Sequence, residues 1–417
     1  MALNWVWIGF FTVACATALV RTLMGDEGVF QGLLTALFDG ARSGFEISLG
    51  LAGVMALWLG LMRVGERAGM VEALARLAAP LLRRLFPEVP NGHPAQGAMT
   101  MNISANMLGL DNAATPLGLT AMRELQTLNT RQPDTASNAQ IMFVVMNTAG
   151  LTLIPTSVIA IRQSIAVKQG LGASFNAADI FLPTLLVTFV SLLVGVMAVA
   201  VCQRLPLWRA RFALPMLAVA GVLAAIVMAL ARLPAEQASR IAGATGAMVI
   251  LGIVMLFLLA GAFKRINVYD AFIDGAKEGF GVAIHIVPYL IAILVAIGVF
   301  RAAGCMDALM AGIGSVVSAM GLDTAFLPAL PVGLMRILSG AGARGLMIDV
   351  MQTHGVESFA GRLAAIMQGS AETTFYVMAV YFGSVGIKHA RHALACALLA
   401  DMAGLVMAIA IGYAMLR

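Results

Sequence analysis

Charge is what this sequence has least of. Asp, Glu, Lys and Arg make up only 11% of its 417 residues, against about 25% in soluble domains. Such a chain cannot present a charged coat to water on every side. With 60% hydrophobic residues and a mean hydropathy of +0.92, its main solvent is lipid. Metal and redox chemistry is equally thin. The four cysteines (Cys15, Cys202, Cys305, Cys396) stand singly in apolar stretches without C-x-x-C spacing, a pattern of packing residues rather than disulfides or metal ligands. The five histidines form no H-x-x-x-H pair, and His389 and His392 share a basic loop. There is no nucleophile–base pair and no dinucleotide motif. The Gly-rich stretch 340–345 lacks a preceding strand and a Lys-Ser/Thr ending, so it is not a phosphate loop. Neither an enzyme, a cofactor nor a metal is expected. The net charge of +5 and pI near 9.3 come from basic residues in short loops between apolar runs. That is the pattern of membrane orientation rather than of nucleic-acid binding.

Apolar runs long enough to cross about 30 Å of hydrocarbon fall at 4–24, 46–62, 138–161, 180–203, 213–232, 241–263, 281–300, 359–382 and 393–416. The first lacks a basic leader and a cleavage site, so it reads as a retained span. Residues 63–87 and 301–321 are amphipathic, with Arg63, Arg67, Arg76, Arg83 and Arg84 interrupting Met70, Leu74, Leu77 and Leu81. Such helices lie in the membrane interface. Residues 95–128 and 326–350 hold half-length apolar pieces around Leu110-Asp111-Asn112 and Ser339-Gly340-Ala341-Gly342. They predict re-entrant hairpins, whose non-helical tips persist only when buried in protein or beside water.

The pattern occurs twice. Asp39-Gly40-Ala41-Arg42-Ser43-Gly44-Phe45 returns 235 positions later as Asp274-Gly275-Ala276-Lys277-Glu278-Gly279-Phe280, and Ala68-Gly69 and Ser104 return as Ala303-Gly304 and Ser339 at the same offset. After a shorter second hairpin the offset is 221, pairing Val145-Met146-Asn147 with Ile366-Met367-Gln368. Five crossings separate the span at 46–62 from its counterpart at 281–300, an odd number, so the second copy is expected to be inverted. The expected organisation is a first repeat at 1–210, a connecting helix pair at 211–265 and a second repeat at 266–417. The fold class is an all-α polytopic membrane protein, an inverted-repeat transporter-like core with two re-entrant hairpins and two interrupted helices. Loop arginines and lysines are denser around 63–84, 123–131, 204–211, 264–265 and 388–391 than on the opposite side, where Arg42, Arg162, Lys168 and Arg301 fall. The positive-inside rule then places the N-terminus in the cytoplasm and the C-terminus outside.

Both interrupted spans break at matching positions, Met146-Asn147-Thr148-Ala149-Gly150-Leu151-Thr152 with Pro155 following, and Met367-Gln368-Gly369-Ser370-Ala371-Glu372-Thr373-Thr374. Proline frees a backbone carbonyl. Polar groups at membrane depth are costly without partners, and paired breaks mark substrate sites in transporters. Small residues also let helices pack closely, the simpler account of Ala149, Gly150 and Ala371. Glu372 would pair, bind a cation or take up a proton; a structural ion pair to Arg336 or Arg344 is the alternative. Asp401 in the last span is a further candidate for proton or cation coupling, as is Asp111, and a hydrogen-bonded core role fits Asp401 equally. At the hairpin tips, Asn102, Ser104, Asn106, Asp111 and Asn112 of the first copy have as their counterpart the second tip with Ser339 and Gly340, Ser104 aligning with Ser339. Helix N-termini there would suit anionic or carbonyl oxygens; a tight turn is the alternative for Gly340 and Gly342.

The stretch Asn102-Ile-Ser-Ala-Asn106-Met-Leu-Gly-Leu-Asp111-Asn112-Ala-Ala-Thr-Pro116, with Asn147-Thr148 and Leu153-Ile154-Pro155-Thr156, resembles the spore maturation protein A family. Gln368-Gly-Ser-Ala-Glu372-Thr-Thr-Phe375-Tyr376 with Tyr381-Phe-Gly-Ser-Val-Gly386 resembles the spore maturation protein B family. Together they cover nearly the whole chain, as a fusion of two usually separate proteins of the nucleoside-recognition (Gate) group. That group's element order is similar to the concentrative nucleoside transporters, which implies an elevator built of two hairpins and two broken helices. A run of aromatics for stacking a base is missing here. The expected function is an inner-membrane secondary transporter of a small polar organic solute or anion, nucleoside-like or carboxylate-like. One wall would be Asn102, Ser104, Asn106, Asp111, Asn112, Asn147 and Thr148; the other, Ser339, Gly340, Gln368, Ser370 and Glu372. Its partners would be the lipid bilayer, the solute, a coupling H⁺ or Na⁺, and further copies of itself, with 213–263 as a possible subunit interface. The rival is a non-transporting membrane scaffold or regulator in envelope or spore assembly.

Overall fold

A computed structural model describes residues 2–205 and 235–416, apart from positions 110, 131, 151, 154, 173 and 174, with scattered residues between 221 and 232. The expected span at 213–232 therefore lies outside the described residues. Everything regular among them is helical, as expected of an all-α polytopic membrane protein. The helices are α1 (Ala2–Leu23), α2 (Val29–Arg67), α3 (Met70–Leu85), α4 (Pro94–Met107), α5 (Asp111–Leu128), α6 (Asn138–Thr148), α7 (Thr156–Lys168) and α8 (Phe181–Cys202). The second series is α9 (Ala235–Phe263), α10 (Val268–Ala302), α11 (Cys305–Ala319), α12 (Leu330–Leu338), α13 (Gly340–His354), α14 (Phe359–Gly369), α15 (Thr374–Gly383) and α16 (Ala393–Leu416). The long apolar helices at 29–67, 177–202, 243–263, 268–302 and 393–416 meet the length and hydropathy of membrane spans.

The sequence repeat is a structural one. Helices α2 and α10 end at Arg67 and Ala302, and each is followed by a left-handed glycine, Gly69 at φ 77° and Gly304 at φ 82°, before α3 and α11 begin. Left-handed backbone suits a residue without Cβ. Helices α6 and α14 begin and end 221 positions apart. Ser137 caps α6 by accepting from Gln140 N, with the Gln140 side chain returning the bond. Ser358 precedes α14 and accepts from Gly361 N at 2.9 Å.

Two expectations are corrected. The helix expected at 46–62 starts at Val29, so the Asp39–Phe45 motif lies within α2 rather than before a span. Its charges are tolerated because Arg42 Nε donates to Glu46 Oε1 one turn on, at 2.8 Å, on an exposed face. Arg162, counted among the loop charges, is fully buried within α7, donating to the Val356 carbonyl and lying 5.3 Å from the Phe175 ring centroid. It carries no weight in a loop-charge argument.

The chain forms two compact units. Unit 1 comprises residues 1–57, 157–175 and 277–368, and holds α12, α13 and α14; unit 2 comprises 58–156, 176–276 and 369–417, and holds α4, α5, α6, α15 and α16. Each unit thus takes elements from both sequence repeats. In unit 1, α2 and α10 touch backbone to backbone. A Cβ on Gly40 would lie 2.9 Å from the Leu294 carbonyl oxygen, one on Gly44 2.9 Å from Ile291 Cα, and one on Gly279 2.5 Å from the Met55 carbonyl oxygen. Partner numbers fall as α2 residue numbers rise, so these equivalent helices are antiparallel and the repeats are inverted. In unit 2 a Cβ on Gly275 would lie 2.3 Å from the Leu59 carbonyl oxygen, the symmetry mate of the Gly40–Leu294 approach. The core of unit 2 gathers Phe86, Met99, Met122, Phe143, Tyr381 and Phe382.

Candidate functional site

Both interrupted spans are broken where the polar runs fall. Helix α6 stops at Thr148 and α7 starts at Thr156; α14 stops at Gly369 and α15 starts at Thr374. Within unit 2 the two breaks touch. Glu372 N donates to the Thr148 carbonyl at 2.9 Å, and Gly150, at φ 28°, would place a Cβ 3.1 Å from Glu372 Cγ. The first break also meets the first hairpin, Leu153 N donating to the Met107 carbonyl at 2.8 Å.

Side chains around this junction form one network. Asn106 Nδ2 donates to Asn147 Oδ1 at 2.8 Å, and Asn147 Nδ2 donates to the Phe143 carbonyl at 2.9 Å. Tyr381 Oη donates to Asn147 Oδ1 at 3.3 Å and accepts from Asn102 Nδ2 at 3.3 Å. Asn102 Nδ2 also reaches the Ala114 carbonyl at 2.8 Å, tying α4 to α5. Tyr381 is stacked on Phe143 with centroids 5.8 Å apart. Gly118 leaves room for its hydroxyl: a Cβ there would lie 2.1 Å from that oxygen. Thr148 Oγ1 turns back to the Val145 carbonyl at 2.9 Å, and Thr374 Oγ1 donates to Asp401 Oδ2 at 2.7 Å.

Buried oxygens of unit 2 without a hydrogen-bond partner among the described residues include Asn102 Oδ1, Ser104 Oγ and Thr184 Oγ1. Each such group costs about 1–3 kcal/mol when left unpaired, and in native proteins the exceptions call for a ligand, a water or a functional explanation. Ser370 is buried and Glu372 half-buried at the second break. Asp111 and Asn112 open α5, and their side chains lie outside the described residues.

Ser339, Gly340 and Gln368 belong to unit 1. Ser339 alone, at φ −155° and ψ 117°, reverses the chain between α12 and α13, and its hydroxyl accepts from Gly342 N at 3.0 Å. Gly340 and Gly342 are helical, so the alternative of a glycine tight turn is corrected: an extended serine makes the turn and caps the next helix. Gln368 Nε2 reaches the Gly340 carbonyl at 3.5 Å, while its buried Oε1 has no partner among the described residues. The structure thus gathers Asn102, Asn106, Asn147, Thr148 and Glu372 in one unit and Ser339, Gly340 and Gln368 in the other. No group of three or more metal-ligating side chains occurs among the described residues.

Thr184 and Gly118 belong to none of the sequence motifs, and Tyr381 stands in one only as the first residue of the Tyr381–Gly386 stretch, not as a site residue. The signal for Tyr381 was its place near the end of an interrupted span; only packing shows that its hydroxyl returns to the break.

A family model described as Gate, nucleoside recognition, matches residues 48–164 and 283–388, segments that contain both hairpins and both helix breaks. The chain belongs to the nucleoside-recognition (Gate) family. Spore maturation protein A of Bacillus subtilis (strain 168) is 37% identical over 188 residues, which cover 45% of this chain and 89% of that protein. Spore maturation protein B of the same organism is 44% identical over 159 residues, 38% of this chain and 88% of that protein. The two relatives match different parts of the chain, as expected of a fusion.

Proposed function

We propose that this Gate-family chain is an inner-membrane secondary transporter of a small polar organic solute or anion, nucleoside-like or carboxylate-like, working as an elevator coupled to H⁺ or Na⁺. The observation that carries the proposal is the meeting of the two breaks at Thr148 and Glu372 beside buried, unpartnered oxygens of Asn102 and Ser104. Transporters bind substrate where discontinuous helices meet at the midplane, and the family description, nucleoside recognition, fits a polar solute. Asn102, Ser104, Asn106, Asn147 and Thr148 would bind it, with Asp111 and Asn112 opening α5 nearby in sequence. Ser339, Gly340, Gln368 and Ser370 offer the same chemistry from the second repeat. Glu372, Asp401 and Asp111 are the proposed proton or cation carriers. The proposed topology has a cytoplasmic N-terminus and an extracytoplasmic C-terminus, in a homo-oligomer, with 1–210, 211–265 and 266–417 as repeat, connector and repeat.

The test is uptake into proteoliposomes across a panel of labelled nucleosides and carboxylates under imposed Na⁺ or pH gradients. At least one solute should accumulate with the gradient, and Asn147→Ala and Glu372→Gln should each reduce uptake tenfold or more. Silence across the panel, or uptake indifferent to both substitutions, would overturn the proposal. A second reading, a non-transporting scaffold, is favoured by one observation: Asn147 Oδ1 already accepts from both Asn106 and Tyr381, and its Nδ2 donates to the Phe143 carbonyl. It predicts that no solute shifts the thermal midpoint and that Asn147→Ala only destabilises.

A further inference from the structure

A cavity lies in unit 2 between α3 and α4. Its volume of about 310 Å³ is at the lower end of the about 300–1,000 Å³ typical of ligand pockets. The floor is apolar, formed by Ala75, Ala79, Leu82, Phe86 and Met99. The small side chains at 75 and 79, one turn apart on α3, hollow it out. Gly97 opposite deepens it, since a Cβ there would meet nothing within 4 Å. The rim is cationic. Arg76 and Arg83 both line the cavity and are exposed; seven residues apart, they share one face of α3. Arg63 and Arg67 at the end of α2 are paired with Glu66 and Asp274, whereas no ion pair engages Arg76 or Arg83 among the described residues. Glu72 stands at one end of the groove, one turn before Arg76. Leu77 on the same helix is 79% exposed, as suits an amphipathic helix that rests in a membrane interface.

We propose that this groove binds an anionic phospholipid, with an acyl chain along Ala75, Ala79, Leu82 and Met99 and the headgroup phosphate at Arg76 and Arg83. Charge complementarity joined to apolarity selects this occupant. A soluble anion has no use for the apolar floor, and a zwitterionic lipid gains less from two unpaired guanidinium groups. Arginine near an anionic membrane surface contributes about fivefold in affinity per residue, so the pair should favour an anionic headgroup by roughly 25-fold.

The experiment uses the full-length protein in detergent, titrated with phosphatidylglycerol, phosphatidylcholine or inorganic phosphate and read by native mass spectrometry. Phosphatidylglycerol should be retained at roughly 25-fold lower concentration than phosphatidylcholine, and excess inorganic phosphate should not displace it. Arg76→Gln with Arg83→Gln should abolish that preference, and Arg83→Gln alone should remove about fivefold of it. Ala79→Trp should lower retention of both lipids, and Glu72→Gln should leave the preference intact or raise it. Equal retention of the two lipids, a preference untouched by the arginine substitutions, or displacement by free phosphate would overturn the assignment. So would a change in oligomeric state on Ala79→Trp with lipid retention unchanged, which would make the groove a contact between copies. Thermal midpoints close to that of the unaltered protein confirm that each variant folds.

Discussion

The backbone N–H of Glu372 donates to the carbonyl of Thr148, at 2.9 Å, across 224 residues of sequence. A break in a membrane helix strands donors and acceptors that hydrocarbon cannot satisfy. Here one interruption serves the other, so neither can be mended by a regular helix without orphaning a group on its partner. The bond uses backbone, not the carboxylate. Glu372→Gln keeps that N–H and should therefore lower the thermal midpoint less than Glu372→Pro, which deletes it and should destabilise by about 3 kcal/mol or more. Thermal unfolding in detergent separates the two; equal effects would show that the carboxylate, not the backbone, holds the junction.

Tyr381 is the hinge of the side-chain network, accepting from Asn102 and donating to Asn147. Tyr381→Phe preserves the stacking on Phe143 and removes only the hydroxyl. The expected loss is about 0.5–1.5 kcal/mol. In a double-mutant cycle with Asn147→Ala the two losses should be non-additive by at least about 0.5 kcal/mol. Strict additivity would mean that the hydroxyl and the amide do not communicate.

At the α2–α10 crossing, Gly40 and Gly275 occupy equivalent positions against the Leu294 and Leu59 carbonyl oxygens. Leucine at either site forces backbones apart, with an expected penalty of roughly 1–3 kcal/mol or more. Because the approaches are symmetry mates, Gly40→Leu and Gly275→Leu should lower the thermal midpoint similarly. Gly53, which has open space around it, supplies the control. A Gly40→Leu protein as stable as Gly53→Leu would contradict the close crossing.

His392, in the loop before α16, is pushed below its ordinary pKa of 6.5 by burial first and by Arg391 second, and its Nε2 lies 3.5 Å from Gln203 Nε2. A histidine lowered in the fold favours the neutral form there. Its contribution is complete above the ordinary value and is lost as pH falls through 6.5 to the lower folded value. The difference in thermal midpoint between the unaltered protein and His392→Gln should shrink as pH is lowered from 7.5 toward 5. A constant difference across that range would remove His392 from the pH response.

Much of the architecture was legible in the sequence because its signals are periodic or compositional. The 235 and 221 offsets reappear as matched helix ends, and the polar runs after Met146 and Met367 reappear as breaks. Long-range contacts were not legible. Beyond its place in the Tyr381–Gly386 motif, nothing local assigns Tyr381 to the break until α15 is packed on α6 with Gly118 making room. Arg162 misled for the opposite reason. A charge in an apolar stretch looks like a loop residue unless the Val356 carbonyl and the Phe175 face that receive it are known. The Asp39–Phe45 motif was recognised as repeated, but its purpose as a crossing surface depends on the partner helix.

The glycine crossing also governs how such a chain can change. One residue inserted before Gly40 within α2 would turn the contact face by about 100°, and the matching face of α10 would no longer fit unless it gained a residue too. Indels in these paired helices are thus admissible only in twins, whereas the step from 235 to 221 falls after the crossing, between Ser339 and Phe359. The shared ancestry of the halves should stay in register on one side of that point and drift in length on the other.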